Sequence, residues 1–234
     1  MTRPVAVLFD LDDTLYPERS FVDGGFRSVG RFLAPHIGSS PAAIARRLRT
    51  LHDRDGRGRL IQTLLGDLGR GDDPDLVLAA VLAYRTHRPR LYPFPMVVET
   101  LGRLRAAGIS TGLVSDGMSA VQRRKLAALP AVARQLDVIV LTDELGADYA
   151  KPSPVPFRVA CRMLGVDPAA SVYVANDPRK DFAGARAAGL ATIRSGSLPD
   201  EGGAIRVSLR DGIDADAVTD GLAEIGRRLL EEPI

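Results

Sequence analysis

The sequence contains no tryptophan and only one cysteine, Cys161. A single cysteine excludes an internal disulfide framework and is typical of proteins in a reducing cytosol. No apolar run approaches the length of a membrane-spanning helix, and the opening residues, MTRPVAVLFD, lack the apolar stretch of a signal peptide. These absences predict a cytoplasmic protein without membrane contact.

The chain also lacks a strong charge of either sign, since 31 lysines and arginines balance 29 acidic residues. Without a strong positive field, the sequence gives no reason to expect a nucleic-acid partner. Its 234 residues, of which 45% are hydrophobic, suit one large domain or a core with a sizeable insertion. We expect a monomer or a homodimer, a choice that the sequence leaves open.

Short apolar runs and helical patterns are arranged unevenly along the chain. A first strand is followed by helical patterns alone, whereas strands and helices alternate after Arg90. Such alternation predicts a parallel sheet with helices on both faces. The predicted strands are residues 5–9, 110–114, 136–141, 171–175 and 191–194, and the predicted last helix is residues 215–230.

We therefore predict an α/β fold in two parts. Residues 1–16 and 91–234 form a Rossmann-like core with an open parallel sheet, and residues 17–90 form an all-helical insertion after its first strand. We expect the interface between the two parts to enclose a substrate.

Polar side chains follow four of the predicted strands at their carboxyl ends, where open parallel sheets bind ligands. In chain order the residues at these strand ends are Asp10, Asp12 and Asp13; Ser115 and Asp116, followed by Gly117; Lys151; and Asn176, Asp177 and Asp181. Carboxylates can hold Mg²⁺, a serine can donate to an anion, and a lysine suits phosphate. Each cluster alone can be an ordinary turn or helix cap. Together they indicate phosphoryl transfer, which depends on positioning and charge neutralisation.

The segments FDLDDTLY, VSDG, AKPSP and YVANDPRKD resemble, in this order, the four motifs of the haloacid dehalogenase-like hydrolase superfamily. The place of the helical insertion resembles the subfamily with a helical cap after the first strand. The resemblance extends from Ala6 to about Arg194. It implies Mg²⁺ as the cofactor and an aspartyl-phosphate intermediate.

Position within these motifs implies a role for each candidate residue. Asp10 matches the nucleophile, Asp12 the general acid and base, and Lys151 the lysine that balances charge around the nucleophile. The implied phosphate-binding residues are Ser115, Asp116, Gly117 and Lys151. The implied metal ligands are Asp10, the backbone carbonyl of Asp12, and Asn176 or Asp177, with Asp181 as a supporting acid.

The fourth motif departs from the family pattern. Related sequences have Gly-Asp-Asn-Pro, whereas this chain has Ala175-Asn176-Asp177-Pro178. Either Asn176 takes the third metal position, or a local shift brings Asp177 there. Sheet register favours Asn176, because a slip in a buried strand is costly.

The leading hypothesis is a Mg²⁺-dependent phosphomonoesterase that hydrolyses a small metabolite, either a sugar phosphate or a nucleoside monophosphate. Phosphatases of the family have an aspartate at the position of Asp12, and the dehalogenases lack it. One alternative is a phosphotransferase or mutase of the same superfamily. Another is a catalytically retired domain that binds a phosphorylated ligand.

Overall fold

A computed structural model describes residues 3–71, 73–195, 215–219 and 221–231 of the chain. The chain divides into two compact units, one made of Met1–Pro17 and Tyr92–Ile234 and the other of Glu18–Leu91. The strands are β1 (Ala6–Phe9), β2 (Ser110–Ser115), β3 (Val138–Leu141), β4 (Ser171–Ala175), β5 (Ala191–Ser195) and β6 (Ala217–Thr219). The helices are α1 (Glu18–Ile37), α2 (Pro41–Asp55), α3 (Leu60–Asp67), α4 (Pro74–Arg85), α5 (Val97–Ala106), α6 (Ser119–Ala128), α7 (Pro130–Ala133), α8 (Val155–Leu164), α9 (Phe182–Ala187) and α10 (Leu222–Glu231).

The described strands form one parallel sheet in the order β3-β2-β1-β4-β5-β6. Strand β1 is central, and its last residue, Phe9, aligns with Leu113 on one side and Val174 on the other. All four residues of β1 are buried. A strand covered on both faces needs a continuous apolar run, which explains the pattern of the opening segment. The predicted open parallel sheet is confirmed.

Helices cover both faces of this sheet, as predicted. Side chains alternate along a strand, so Leu8, Val114 and Tyr173 point to the same face. There they form one apolar cluster with Phe157 of α8 and Phe182 of α9. On the other side, α5 contacts β2 and packs against α10. The sheet is thus the middle layer of a three-layer core.

The prediction of a helix over residues 215–230 is wrong at its start. Ala217–Thr219 is strand β6, paired in parallel with β5. The carboxylate of Asp216 accepts hydrogen bonds from the backbone N–H and the hydroxyl of Thr192, at 2.8 and 2.9 Å, and ties this segment to β5. Helix α10 begins only after Gly221, which has a φ of 150°. The apolar residues at helical spacing that led to the prediction therefore form a helix only within α10.

The unit Glu18–Leu91 consists of helices α1 to α4 with an apolar core of their own. Helix α1 packs against α2 and α4. It passes α2 closely because Gly30 has no side chain where a Cβ would collide with the carbonyl oxygen of Pro41. The hydroxyl of Ser40 accepts from Ala43 N–H at 3.2 Å and caps α2, as its position before a proline suggests. Among the residues described, no helix combines the length and apolar character needed to cross a membrane.

Helix α9 meets the loop after β3 at Gly184. A Cβ at this position would collide with the carbonyl oxygen of Pro152, beside Lys151. The atoms in the way belong to the backbone, which cannot shift as easily as the end of a flexible side chain. The absence of a side chain at Gly184 therefore allows α9 to pack directly on the loop that carries Lys151.

We expect Gly184→Ala to lower the free energy of unfolding by about 1–3 kcal/mol, the usual cost of overpacking. The control is Gly102→Ala in α5, where the added Cβ would meet the side-chain oxygen of Gln135 at 3.3 Å. That side chain can shift, and alanine favours a helix, so the control should change stability by less than about 1 kcal/mol. Urea unfolding followed by circular dichroism measures both variants, and equal losses would contradict the steric argument.

Candidate active site

The carboxyl ends of the central strands carry the predicted site residues. Asp10 follows β1 directly, and its N–H donates to the carbonyl oxygen of Val174 at 2.9 Å. Pairing with β4 therefore continues one residue beyond β1. Ser115 is the last residue of β2, Asn176 follows β4, and Lys151 lies in the loop between β3 and α8.

Lys151 lies between two buried carboxylates. Its Nζ is 2.9 Å from Asp10 Oδ1, 2.6 Å from Asp181 Oδ1 and 3.0 Å from the hydroxyl oxygen of Tyr173. Burial opposes the charged form of this lysine, but Asp10, Tyr173 and Asp181 outweigh it and raise the pKa of Lys151 well above its ordinary value. The lysine is a fixed positive charge at the centre of the site.

The two oxygens of the Asp10 carboxylate have different surroundings. Oδ1 accepts from Lys151, whereas Oδ2 is buried and has no hydrogen-bond donor among the described residues. Burial raises the pKa of Asp10, and the attraction of Lys151 opposes that rise. A buried carboxylate oxygen without a donor is costly unless a ligand compensates it. Asp10 Oδ2 therefore indicates where a cation or a substrate can bind.

Asp12 lies in a separate network of donors. The Tyr16 hydroxyl donates to Asp12 Oδ1 at 2.5 Å, and Lys125 Nζ contacts Oδ1 and Oδ2 at 2.8 and 2.7 Å. Burial alone would raise the pKa of Asp12, but the attraction of Lys125 and the hydrogen bonds from Lys125, Tyr16 and Gln122 lower it. The ionised form of Asp12 is therefore favoured.

Gln122 connects the first and second motifs. Its Nε2 lies 3.1 Å from Asp12 Oδ2, 2.9 Å from Ser115 Oγ and 2.5 Å from the Asp116 carbonyl oxygen, so its two N–H groups are shared among three acceptors. A carboxylate and a carbonyl only accept, so they assign the amide nitrogen to this side. Ser115 accepts from Gln122, and its own hydroxyl proton can be donated to a bound anion.

The rest of the second motif fixes local structure. Asp116 Oδ1 accepts from the Thr142 hydroxyl at 2.8 Å and from Lys151 N–H at 3.1 Å. This carboxylate therefore joins the end of β2 to the two loop segments after β3. Gly117 has a φ of 105°, a conformation that favours glycine, at the turn into α6. A phosphate-binding role for Asp116 and Gly117 stays a prediction.

In the fourth motif, the exchanged Asn176 and Asp177 have different partners. The Asp177 carboxylate accepts from Arg179 through its N–H, Nε and Nη2, at 3.1, 2.8 and 2.8 Å. The Asp177 N–H donates to Asp181 Oδ2 at 3.0 Å, which ties this turn to the Lys151 cluster. The Thr14 hydroxyl lies 3.4 Å from Asn176 Oδ1, beside the first motif.

Sequence reasoning missed Gln122, Lys125, Tyr16 and Tyr173. Gln122 and Lys125 are buried in α6, three residues apart, together with the apolar Leu126. This spacing places Gln122 and Lys125 on one helix face. The available signal was a polar face on the helix that directly follows the second motif.

A metal ion at this site would need more than acidic side chains. Among the described residues, no group of three or more His, Cys, Asp and Glu side chains could hold a metal ion. A cation at Asp10 Oδ2 would therefore take its other oxygens from amide and backbone groups. Asn176 and the backbone carbonyl of Asp12 are such groups, and both follow strands that end at this edge.

Comparison with known proteins identifies the family. Residues 5–189 match the family described as "Hydrolase: haloacid dehalogenase-like hydrolase". This match covers most of the chain, so the chain belongs to that family, and the prediction that it is a hydrolase is confirmed.

Individual relatives agree with this assignment. A glyceraldehyde 3-phosphate phosphatase of Methanopyrus kandleri is 36% identical over 195 residues, 81% of this chain and 82% of that protein. A phosphoglycolate phosphatase of Neisseria gonorrhoeae is 28% identical over 80% of this chain and 78% of that protein. The structure of a HAD family hydrolase from Deinococcus radiodurans, with bound phosphate and sodium, has a TM-score of 0.65 at 23% identity. It covers 98% of this chain and 96% of that chain. This structural likeness shows the fold.

Replacing the buried cation should destabilise the fold. We expect Lys151→Met to cost about 3–5 kcal/mol, the range for breaking a buried ion pair, because Asp10 and Asp181 lose their shared partner. The matched control is Arg179→Met, since the Arg179 side chain is 71% exposed and pairs with Asp177 at the surface. It should cost less than about 1 kcal/mol. Denaturant unfolding at neutral pH compares the two, and equal costs would be contrary to this prediction.

Proposed function

We propose that this chain is a Mg²⁺-dependent phosphomonoesterase that hydrolyses a small phosphorylated metabolite through an aspartyl-phosphate on Asp10. The observation that carries the proposal is the Asp10 carboxylate, with one oxygen fixed by Lys151 and the other buried without a donor among the described residues. Its relatives named as phosphatases support the same reaction class.

Each proposed chemical role falls on a residue at the strand ends. Asp10 attacks phosphorus, and the bond between phosphorus and the leaving oxygen breaks. Beside the anionic ester, whose charge disfavours the ionised form of Asp12, Asp12 acts in its protonated form and gives its proton to that oxygen. It then takes a proton from the water that hydrolyses the aspartyl-phosphate, which releases phosphate and restores both aspartates. Ser115 and Lys151 stabilise negative charge on the transferred group.

The donor set is compatible with Mg²⁺, which prefers oxygen ligands. Asp10 Oδ2, the Asp12 carbonyl and the Asn176 side-chain oxygen are the proposed ligands. When bound, the cation would neutralise charge on the phosphoryl oxygens and help to align them with Asp10. Asp177 is a weaker candidate because its carboxylate already accepts three hydrogen bonds from Arg179.

The relatives narrow the proposed substrate class. They are named for glyceraldehyde 3-phosphate and phosphoglycolate, which are phosphate esters with three and two carbons. For this chain they favour a short phosphorylated sugar or acid over a nucleoside monophosphate. The choice among such esters requires an assay.

The decisive assay measures release of inorganic phosphate from glyceraldehyde 3-phosphate, phosphoglycolate, phosphoserine and nucleoside monophosphates, with Mg²⁺ and with EDTA. We expect Mg²⁺-dependent release, fastest from a short ester. Transfer of phosphate to an added sugar, without release to water, would identify a phosphotransferase. Binding of the esters without either reaction would identify a retired domain.

Asp10→Asn should abolish turnover and leave the fold intact, because an amide cannot attack phosphorus and the side-chain volume barely changes. Without metal, the variant should melt at the same temperature as wild type or higher, since burial disfavours the Asp10 charge. Phosphate release and thermal melting in EDTA check both expectations. Retention of more than a few per cent of wild-type activity would exclude Asp10 as the nucleophile.

The exchanged pair makes a separate prediction about metal affinity. Asn176→Asp should tighten Mg²⁺ binding by about tenfold, the scale of changes around a metal, because a carboxylate replaces a neutral amide. Asp177→Ala should have the milder effect of the two alanine variants, and Asn176→Ala the stronger. Isothermal titration with Mg²⁺ measures the affinity independently of turnover.

The opposite result would identify the other ligand. If Asp177→Ala abolished Mg²⁺ binding while Asn176→Ala preserved it, the backbone would have to shift, Asp177 would leave Arg179, and Asp177 would be the third ligand.

A further inference from the structure

Helix α6 contributes two buried polar side chains to the site, and none of the predicted roles uses them. The Lys125 side chain is 5% exposed and the Asp12 side chain 13% exposed, and Lys125 Nζ contacts both oxygens of that carboxylate. Burying a lysine is costly unless it is well paired. Here both oxygens of the Asp12 carboxylate contact the buried ammonium group of Lys125.

The donors around Asp12 define one orientation of its carboxylate. Tyr16 approaches from the turn that follows β1, where Asp13 N–H donates to the Tyr16 carbonyl oxygen at 3.0 Å. Lys125 and Gln122 approach from α6, which follows β2. A carboxylate held from two directions through both oxygens cannot rotate freely. Its position is therefore set by elements far apart in the chain.

Gln122 extends this control to the proposed phosphate-binding serine. One amide nitrogen contacts Asp12 Oδ2 and Ser115 Oγ, so the proposed acid and the proposed phosphate ligand share a donor. The same nitrogen contacts the Asp116 carbonyl oxygen, and this contact fixes the Gln122 side chain at the end of β2. Movement of α6 would displace both groups together.

We infer that Lys125 and Gln122 are positioning residues for the proposed reaction, and that they act by holding the Asp12 carboxylate in register with Ser115. The inference rests on the proposed function and adds to it the two side chains that align the proton donor with the leaving oxygen. A small misplacement of such a group has a large kinetic cost.

The test uses leaving groups that differ in their need for a proton. Lys125→Met keeps the aliphatic stem and removes the contact to Asp12. We expect kcat for phenyl phosphate, a poor leaving group, to fall by about 10²-fold, within the range for acid–base catalysis. For 2,4-dinitrophenyl phosphate, which needs little protonation, the fall should be below about tenfold, with KM nearly unchanged for both. Gln122→Leu should show the same trend and also raise KM, because Gln122 contacts Ser115.

The matched control is Arg123→Met, a basic residue of the same helix that pairs at the surface with Glu144 and is 64% exposed. This variant should have the wild-type kcat and KM for both esters. If Lys125→Met lowered kcat equally for both esters, Lys125 would support the fold alone and the inference would be wrong. A wild-type protein that released no phosphate from these two esters or from any of the metabolites named above would overturn the proposed function and this inference with it.

A double variant removes the ambiguity of a destabilised single variant. Asp12→Asn with Lys125→Met has no buried carboxylate left without its cation, so it should fold as well as Asp12→Asn. If Lys125 acts through Asp12, the double variant should hydrolyse 2,4-dinitrophenyl phosphate at the rate of Asp12→Asn, because coupled residues are not additive. A further loss of about tenfold or more, beyond the scatter of independent effects, would show that Lys125 acts elsewhere and would overturn the inference.

Discussion

The buried contact of Lys151 with Asp10 and Asp181 is the interaction on which the site depends. The three groups come from the loop after β3, the end of β1 and the residue before α9. Each ion alone would be costly to bury, and the cost is offset only when all three segments are in place. The chemistry and the packing are therefore linked, because the lysine that neutralises the proposed nucleophile also fixes the loop against α9. Gly184 permits this arrangement by leaving room for the carbonyl of Pro152.

Two aspartates, two residues apart, have opposite electrostatic environments. Burial raises the pKa of Asp10, which shares its lysine with Asp181. The pKa of Asp12 is lowered despite burial, because Lys125 attracts its charge and Lys125, Tyr16 and Gln122 donate hydrogen bonds to it. The two pKa values differ because the residues lie in different places. Asp10 continues the central strand at the edge of the sheet, whereas Asp12 lies in the turn that faces α6. In sites that use two carboxyl groups, the acid is the group with the raised pKa, so the proposed roles require a bound cation to favour the ionised form of Asp10 and an anionic ester to favour the protonated form of Asp12.

The sequence was most informative where a local pattern determines structure. The strand ends were predictable because a buried parallel strand is a continuous apolar run and its ligand groups follow it directly. Lys125 was not predictable, because its partner Asp12 is 113 residues away and only the assembled sheet brings β1 and α6 together. Strand β6 escaped detection for a similar reason. Its three residues carry too short a pattern, and its place is set by the contact of Asp216 with Thr192.

The exchange of Asn176 and Asp177 is best understood through the charge of the whole cluster. When both carboxyl groups are ionised, Asp10, Asp181 and Lys151 together carry one net negative charge in a buried space. An aspartate at position 176 would add a second negative charge beside them, which a metal-free protein would have to bear without compensation. Asn176 avoids that repulsion, while Asp177 has its charge matched by Arg179. If the proposed function is correct, Asn176 therefore weakens the binding of Mg²⁺ and also lowers the electrostatic repulsion in the site when no metal is bound.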